Sequence, residues 1–142
     1  MSERGDFRVL TNNGRVLSRH PGLSSCVLLF SSPLEVYEGA LRLLCEGYEL
    51  LVHPRYGNVR LSKAPFRTLV LARGGRSPSP ASFELLFSCL DELKEGGMCS
   101  PPLDLASDFM DLDLGLVGDL LEDLEGKGGV AVGRGEQGQL RG

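Results

Sequence analysis

Gly47–Thr68, GYELLVHPRYGNVRLSKAPFRT, decides how the chain is read. Its first part, Tyr48–Val52, is a short apolar run that predicts a strand. His53-Pro54 ends it, because proline has no amide hydrogen for a ladder. A loop follows with Arg55, Arg60, Lys63 and Arg67 and no acidic residue. Thr68–Ala72, just after Pro65, predicts the next strand. An imidazole and several cations are therefore expected where a buried sheet meets solvent.

Upstream, Phe7–Thr11 predicts the first strand, closed by Asn12-Asn13-Gly14, residues that tolerate turn geometry. His20-Pro21-Gly22 allows only a short helix over 15–24. Cys26–Phe30 predicts a second strand. Its run is apolar without alternation, as expected of a strand covered on both faces. Ser32-Pro33-Leu34-Glu35 opens a helix with an N-cap serine, a first-turn proline and a capping-box glutamate. Tyr37, Ala40, Leu41, Leu44 and Cys45 fall on one face, and Gly47 stops it. Ser79-Pro80 repeats the opening signal before the stripe Phe83, Leu86, Phe87, Leu90 and Leu93. The alternation of strands and helices predicts an α/β fold. Its expected form is a small two- or three-layer sandwich with a mainly parallel four-stranded sheet of order 2-1-3-4.

The chain has 142 residues and a net charge of −4, unevenly spread. Residues 1–95 carry +2 and residues 96–142 carry −6. Residues 103–125 hold eight carboxylates and no Lys or Arg. Leu116, Leu120, Leu121 and Leu124 in that segment still predict an acidic amphipathic helix, docked on the body or on a partner. The expected organisation is an α/β domain over 1–97, the acidic helical segment over 98–126 and a disordered Gly-rich tail over 127–142. Residues 1–95 are expected to hold the folded core, with ready proteolysis after about residue 126.

Composition argues against several roles. No basic domain or stripe speaks for nucleic acid. No run approaches the length of a membrane span and no basic start leads into an apolar segment, so a cytoplasmic protein is expected. Cys26, Cys45, Cys89 and Cys99 form no C-x-x-C pair and lie far from His20 and His53, so no metal is expected. Cys26, Cys45 and Cys89 sit in apolar patterns and read as buried thiols. P-loop, dinucleotide and nucleophile-elbow motifs are missing from the sequence, and no cofactor is expected.

In open α/β sheets ligands gather beyond the carboxyl ends of the strands, where the chain reverses direction across the sheet. With the first and third strands adjacent, that point lies between Thr11-Asn12-Asn13 and His53-Pro54-Arg55. Thr11, Asn12, Asn13, His53, Arg55, Lys63 and Arg67 are the candidate residues, and a small anion is the candidate ligand. Each has a plainer reading: His53 as a packing or capping residue, the cations as a solvated loop or as partners of the acidic tail, Asn12-Asn13-Gly14 as a turn.

Thr11-Asn12-Asn13, Tyr37, Gly47-Tyr48-x-Leu50-Leu51-x-His53-Pro54, Gly57 and Pro65-Phe66-Arg67 resemble the GrdX family over roughly residues 7–95. The chain departs where the family tends to carry proline after Asn-Asn; here the residue is Gly14. The family comprises small proteins encoded beside glycine, sarcosine and betaine reductase genes of amino-acid-fermenting anaerobes. The resemblance implies an accessory protein of such a system, with components of a reductase complex as partners and a homo-oligomer allowed. Two alternatives stand beside it. One is a small enzyme using His53 as acid/base, with Arg55, Lys63 or Arg67 holding substrate charge. The other is a structural adaptor docking through its acidic helix. The enzyme reading lacks a second proton-transfer residue near His53, which favours binding over catalysis.

Overall fold

The computed structural model describes residues 6–57, 60–73, 79–96 and 101–129. Cys99 and residues 130–142, most of the expected tail, lie outside them. Strand β1 (Phe7–Thr11) leads through helix α1 (Arg15–Arg19) and a 3-10 turn (Pro21–Cys26) to strand β2 (Val27–Leu29). Helix α2 (Pro33–Cys45), strand β3 (Glu49–Leu50), a second 3-10 turn (Leu61–Lys63) and strand β4 (Thr68–Ala72) follow. Helices α3 (Pro80–Gly96) and α4 (Leu103–Gly129) complete the order.

The serine caps form as expected, while the Glu35 carboxylate accepts from the Ser31 amide at 3.0 Å and not from that of Ser32 as a capping box would have it. The Ser32 hydroxyl accepts from the Glu35 amide at 3.2 Å, and Ser79 does the same for Ser82 at 3.3 Å. Gly47 stands at φ 101, beyond what side-chain-bearing residues readily adopt, and turns the chain from α2 into β3.

Among the described residues the sheet has four strands in the order β2-β1-β4-β3 and is mixed, not mainly parallel. β1 and β2 run parallel, while β4 is antiparallel to both its neighbours. The expected order 2-1-3-4 is therefore corrected: β4 lies between β1 and β3. Val9 registers with Val70, and the Leu51 amide donates to the Val70 carbonyl at 2.8 Å. Two physical facts explain the exchange. The segment from β3 to β4 holds no α-helix among its described residues, so no crossover returns the chain to a parallel start. Moreover, Thr68–Leu71 is buried throughout, which suits a central strand, whereas half-buried, charged Glu49 suits an edge.

β2 is the other edge, and Leu28 and Leu29 are exposed. The expectation of a strand covered on both faces fails there. Cys89 is buried, but Cys26 is half-buried and Cys45 exposed, against the expectation of buried thiols.

The layers number three. Leu10, Leu69 and Leu71 of the sheet pack against Val36, Tyr37, Ala40 and Leu44 of α2 and Leu86, Cys89, Leu90 and Leu93 of α3. Phe7, Val9 and Val70 on the opposite face meet Val16, Leu23, Leu114, Val117 and Leu121. The acidic helix thus docks on the body, and it runs to Gly129, beyond the boundary expected at 126.

Candidate functional site

The antiparallel β4 brings its first residues beside the end of β1, with Thr11 opposite Thr68. Asn12 staples the junction. Its Oδ1 accepts from the Arg67 amide at 2.8 Å, its Nδ2 donates to the Pro65 carbonyl at 2.8 Å, and its own amide reaches the Arg67 carbonyl at 3.3 Å. The Thr11 and Thr68 hydroxyls stand 2.8 Å apart.

Side chains alternate along β4, so Arg67 and Thr68 leave on opposite faces. Arg67 enters the α2 face and is 1% exposed. Its Nε donates to the Tyr37 hydroxyl at 3.1 Å, and its Nη2 donates to the carbonyls of Pro54 at 3.2 Å and Tyr56 at 3.0 Å. Tyr37 donates in turn to the Pro54 carbonyl at 2.5 Å. Burial pushes the Tyr37 hydroxyl up to about 12, so it stays a donor. No carboxylate lies in ion-pair range of the Arg67 guanidinium among the described residues.

The counter-charge comes from α4 on the other face. Asp113 is 3% exposed. One carboxylate oxygen accepts from the Tyr56 hydroxyl at 2.5 Å; the other accepts from Thr68 Oγ1 at 2.7 Å and Asn13 Nδ2 at 3.1 Å. Tyr56 spans the sheet end: its ring packs on both cores, and its hydroxyl also accepts from the Thr68 amide at 2.6 Å. Burial raises the Asp113 carboxyl above its ordinary value, against the pull of its three donors and of Arg67. Tyr56 is raised as well, first by burial and then by the Asp113 charge.

Around this node α4 is held by charge. Arg15 Nη1 donates to Asp111 at 2.5 Å and Arg15 Nη2 to Ser107 Oγ at 2.5 Å, while Arg19 pairs with Asp111 at 3.1 Å. Glu125 accepts from the Gly22 amide at 2.7 Å and lies 3.0 Å from His20 Nδ1.

The residues singled out from sequence divide. Thr11, Asn12, Asn13 and Arg67 converge on the β1–β4 end. His53, Arg55 and Lys63 do not. His53 is exposed, and its Nδ1 accepts the Arg55 amide at 3.0 Å, closing a local turn. Arg55 pairs with Glu92 of α3 and donates to Ser88 Oγ at 3.0 Å, in an open groove also lined by Glu84, Phe87 and Asp91. Burial and the Arg55 hydrogen bond compete at Glu92; the bond wins and lowers its carboxyl. Lys63 is exposed. The crevice expected between β1 and β3 is occupied by β4.

Sequence reasoning missed Tyr37, Tyr56 and Asp113. Asp113 was legible on a helical wheel, because it falls beside Leu114, Val117 and Leu121 on the buried face. Chemically the node is a set of three donors converging on the one carboxylate of Asp113. Among the described residues no group of His, Cys, Asp and Glu is arranged to hold a metal, and no helix is long and apolar enough to cross a membrane. A profile described as GrdX-like protein matches residues 8–122. No curated protein and no solved structure matches the chain.

Proposed function

The chain belongs to the GrdX-like protein family, and from that premise we propose an accessory protein of a glycine, sarcosine or betaine reductase system that binds small carboxylates without transforming them. The seat is the node at the β1–β4 end, where a ligand carboxylate takes the place of Asp113 when α4 lifts. One observation supports this above all. Donors from Asn13, Tyr56 and Thr68, on separate segments, aim at a single carboxylate brought in by another element. All three substrates of such systems carry a carboxylate, and hydrogen bonds to a charged group contribute about 1.5–3 kcal/mol each. His53 stands apart from this node, which speaks for binding over acid/base catalysis.

Chemical rescue tests the reading. Asp113→Gly removes the internal occupant, Cβ included, and leaves its donors facing a space the size of a carboxymethyl group. Acetate or glycine at millimolar concentration should restore much of the lost thermal stability, and a cation of similar size should not. If no small carboxylate raises the melting temperature of the variant, the seat is a structural joint only.

The adaptor reading has an observation of its own. Leu105, Phe109, Leu112 and Leu116 share one face of α4, and the three leucines are exposed. Asp108 and Asp119 flank that face, so a partner with an apolar groove and a basic rim fits it. Leu112→Lys should leave stability unchanged and abolish co-purification with a reductase component; retained co-purification would sink this reading.

A further inference from the structure

The two edges of the sheet are not equally defended. At β3 the strand is two residues long, and Glu49 is tied down by Ser79 and Ser82. At β2 no such guard exists. Residues 21–34, PGLSSCVLLFSSPL, contain no charged side chain. Natural edge strands usually carry a charge, a proline or a bulge to repel another edge. Leu28 is 42% exposed and Leu29 54%.

The Phe30 amide donates to the Thr11 carbonyl at 2.8 Å, so residue 30 faces β1. Backbone groups alternate along a strand. Leu28 therefore also faces β1, while the N–H and C=O of Val27 and Leu29 face outward. Among the described residues none of these four groups has a partner.

We infer that β2 is a homodimer interface, in which two copies join their sheets edge to edge through antiparallel β2 strands about a two-fold axis at Leu28. This pairing satisfies every outward group. Val27 and Leu29 of one copy exchange hydrogen bonds with Leu29 and Val27 of the other. The two Leu28 residues become a non-hydrogen-bonded pair with Cα atoms about 4.5 Å apart, and their side chains cover each other. Leu29 packs on Val27 of the partner across the opposite face. The outcome is one continuous eight-stranded sheet of order 3-4-1-2-2-1-4-3. A second copy suits the edge for an electrostatic reason as well. The segment is uncharged, so two identical copies meet there without like-charge repulsion, although the chain as a whole carries −4.

Sedimentation and light scattering on the full chain provide the first test. The wild type should have twice the chain mass at ~10 μM, and Leu28→Lys, which sets two ammonium groups face to face on the axis, should raise the dissociation constant tenfold or more. Circular dichroism and the melting curve confirm that the variant is folded. A wild type that is monomeric at ~100 μM, or a Leu28→Lys protein that stays dimeric, overturns the proposal. The second test fixes the register in a background with Cys26→Ser, Cys45→Ser and Cys99→Ser. On mild oxidation Leu28→Cys should cross-link to its own copy, since Cα atoms about 4.5 Å apart permit a disulfide, and Leu29→Cys should not. Equal or reversed cross-linking overturns the two-fold pairing, as does a dimer of mixed composition with a foreign strand.

Discussion

The guanidinium carbon of Arg67 lies 3.6 Å from the centroid of the Tyr56 ring. The buried cation thus rests on an aromatic face, and the hydroxyl of the same ring holds the buried anion, Asp113. Cation, ring and carboxylate form a relay around the end of the sheet. The charges lie on opposite faces and meet through a side chain that touches both. A desolvated cation on an aromatic face gains about 2 kcal/mol or more, and the carbonyls of Pro54 and Tyr56 satisfy the guanidinium in place of water.

Arg67→Lys should therefore be severe despite keeping the charge. An ammonium cannot stack on Tyr56 while reaching Tyr37 and both carbonyls, so the loss should be about 2–4 kcal/mol. Urea denaturation measures it. A loss below about 0.5 kcal/mol, the scale of an unremarkable surface change, would mean that the stacked geometry contributes nothing.

Tyr56→Phe and Tyr37→Phe each remove one hydroxyl but should differ. Each oxygen serves two partners, but Phe at 56 takes a donor from the buried Asp113 carboxylate and an acceptor from the Thr68 amide, whereas Phe at 37 leaves the Pro54 carbonyl and Arg67 still joined through Nη2. Loss of the Tyr56 hydroxyl should cost about 2–3 kcal/mol, against about 1–2 kcal/mol for Tyr37. Asp113→Asn combined with Tyr56→Phe should fall short of the summed single effects by about 1 kcal/mol, since the two share one bond. Strict additivity would dissolve the relay into independent contacts.

The pH dependence has a definite sign. Burial raises Asp113, so its folded value lies above its unfolded one of about 3.9. Such a group favours folding fully below the unfolded value and loses that contribution as pH rises through the folded value. The stability of the wild type relative to Asp113→Asn should thus decline with rising pH across this window. Glu92 runs the other way: lowered by Arg55, it favours folding above its unfolded value and loses that on acidification. Unfolding curves of wild type, Asp113→Asn and Glu92→Gln at several pH values separate the two slopes. An Asp113 contribution that grows with pH would contradict the burial seen for it.

Gly57 and Gly47 make a matched comparison. Both have positive φ, 87 and 101. A Cβ on Gly47 meets nothing within 4 Å, whereas one on Gly57 would stand 2.8 Å from Leu116 Cδ1 of α4. Gly47→Ala should cost about 1–2 kcal/mol, the conformational penalty alone. Gly57→Ala should cost more, and adding Leu116→Ala should recover the excess. If both alanines cost the same, the loop does not press on α4.

Much of this fold is written locally. Ser32-Pro33 and Ser79-Pro80 announce their helices, and Phe7–Thr11 and Thr68–Ala72 stand as strands where the apolar runs place them. Strand order was harder, because it depends on what connects the strands. The segment 51–67 is long but lacks helical periodicity, and the charge on Glu49 marks β3 as an edge; both signs favour β4 in the centre. At the site, Thr11, Asn12, Asn13 and Arg67 were visible as a polar cluster at strand ends. Their anion was hidden among eight carboxylates of one helix, distinguishable only by the face it occupies. His53 drew attention for its chemistry, yet it spends a ring nitrogen on its own turn.

Asp113 follows Arg67 by 46 positions, and this sets an order of events at the ribosome. The cation, its aromatic seat and the sheet all emerge before the anion and before the helix that covers Phe7, Val9 and Val70. A nascent chain halted before residue 113 carries an unneutralised charge and an open apolar face at once. It should remain protease-sensitive, and protection should appear only when α4 clears the exit tunnel. Docking of α4 should then be the step that commits the newly made chain to its native state, and a halted chain already protease-resistant at residue 95 would instead uphold the expectation that residues 1–95 fold alone.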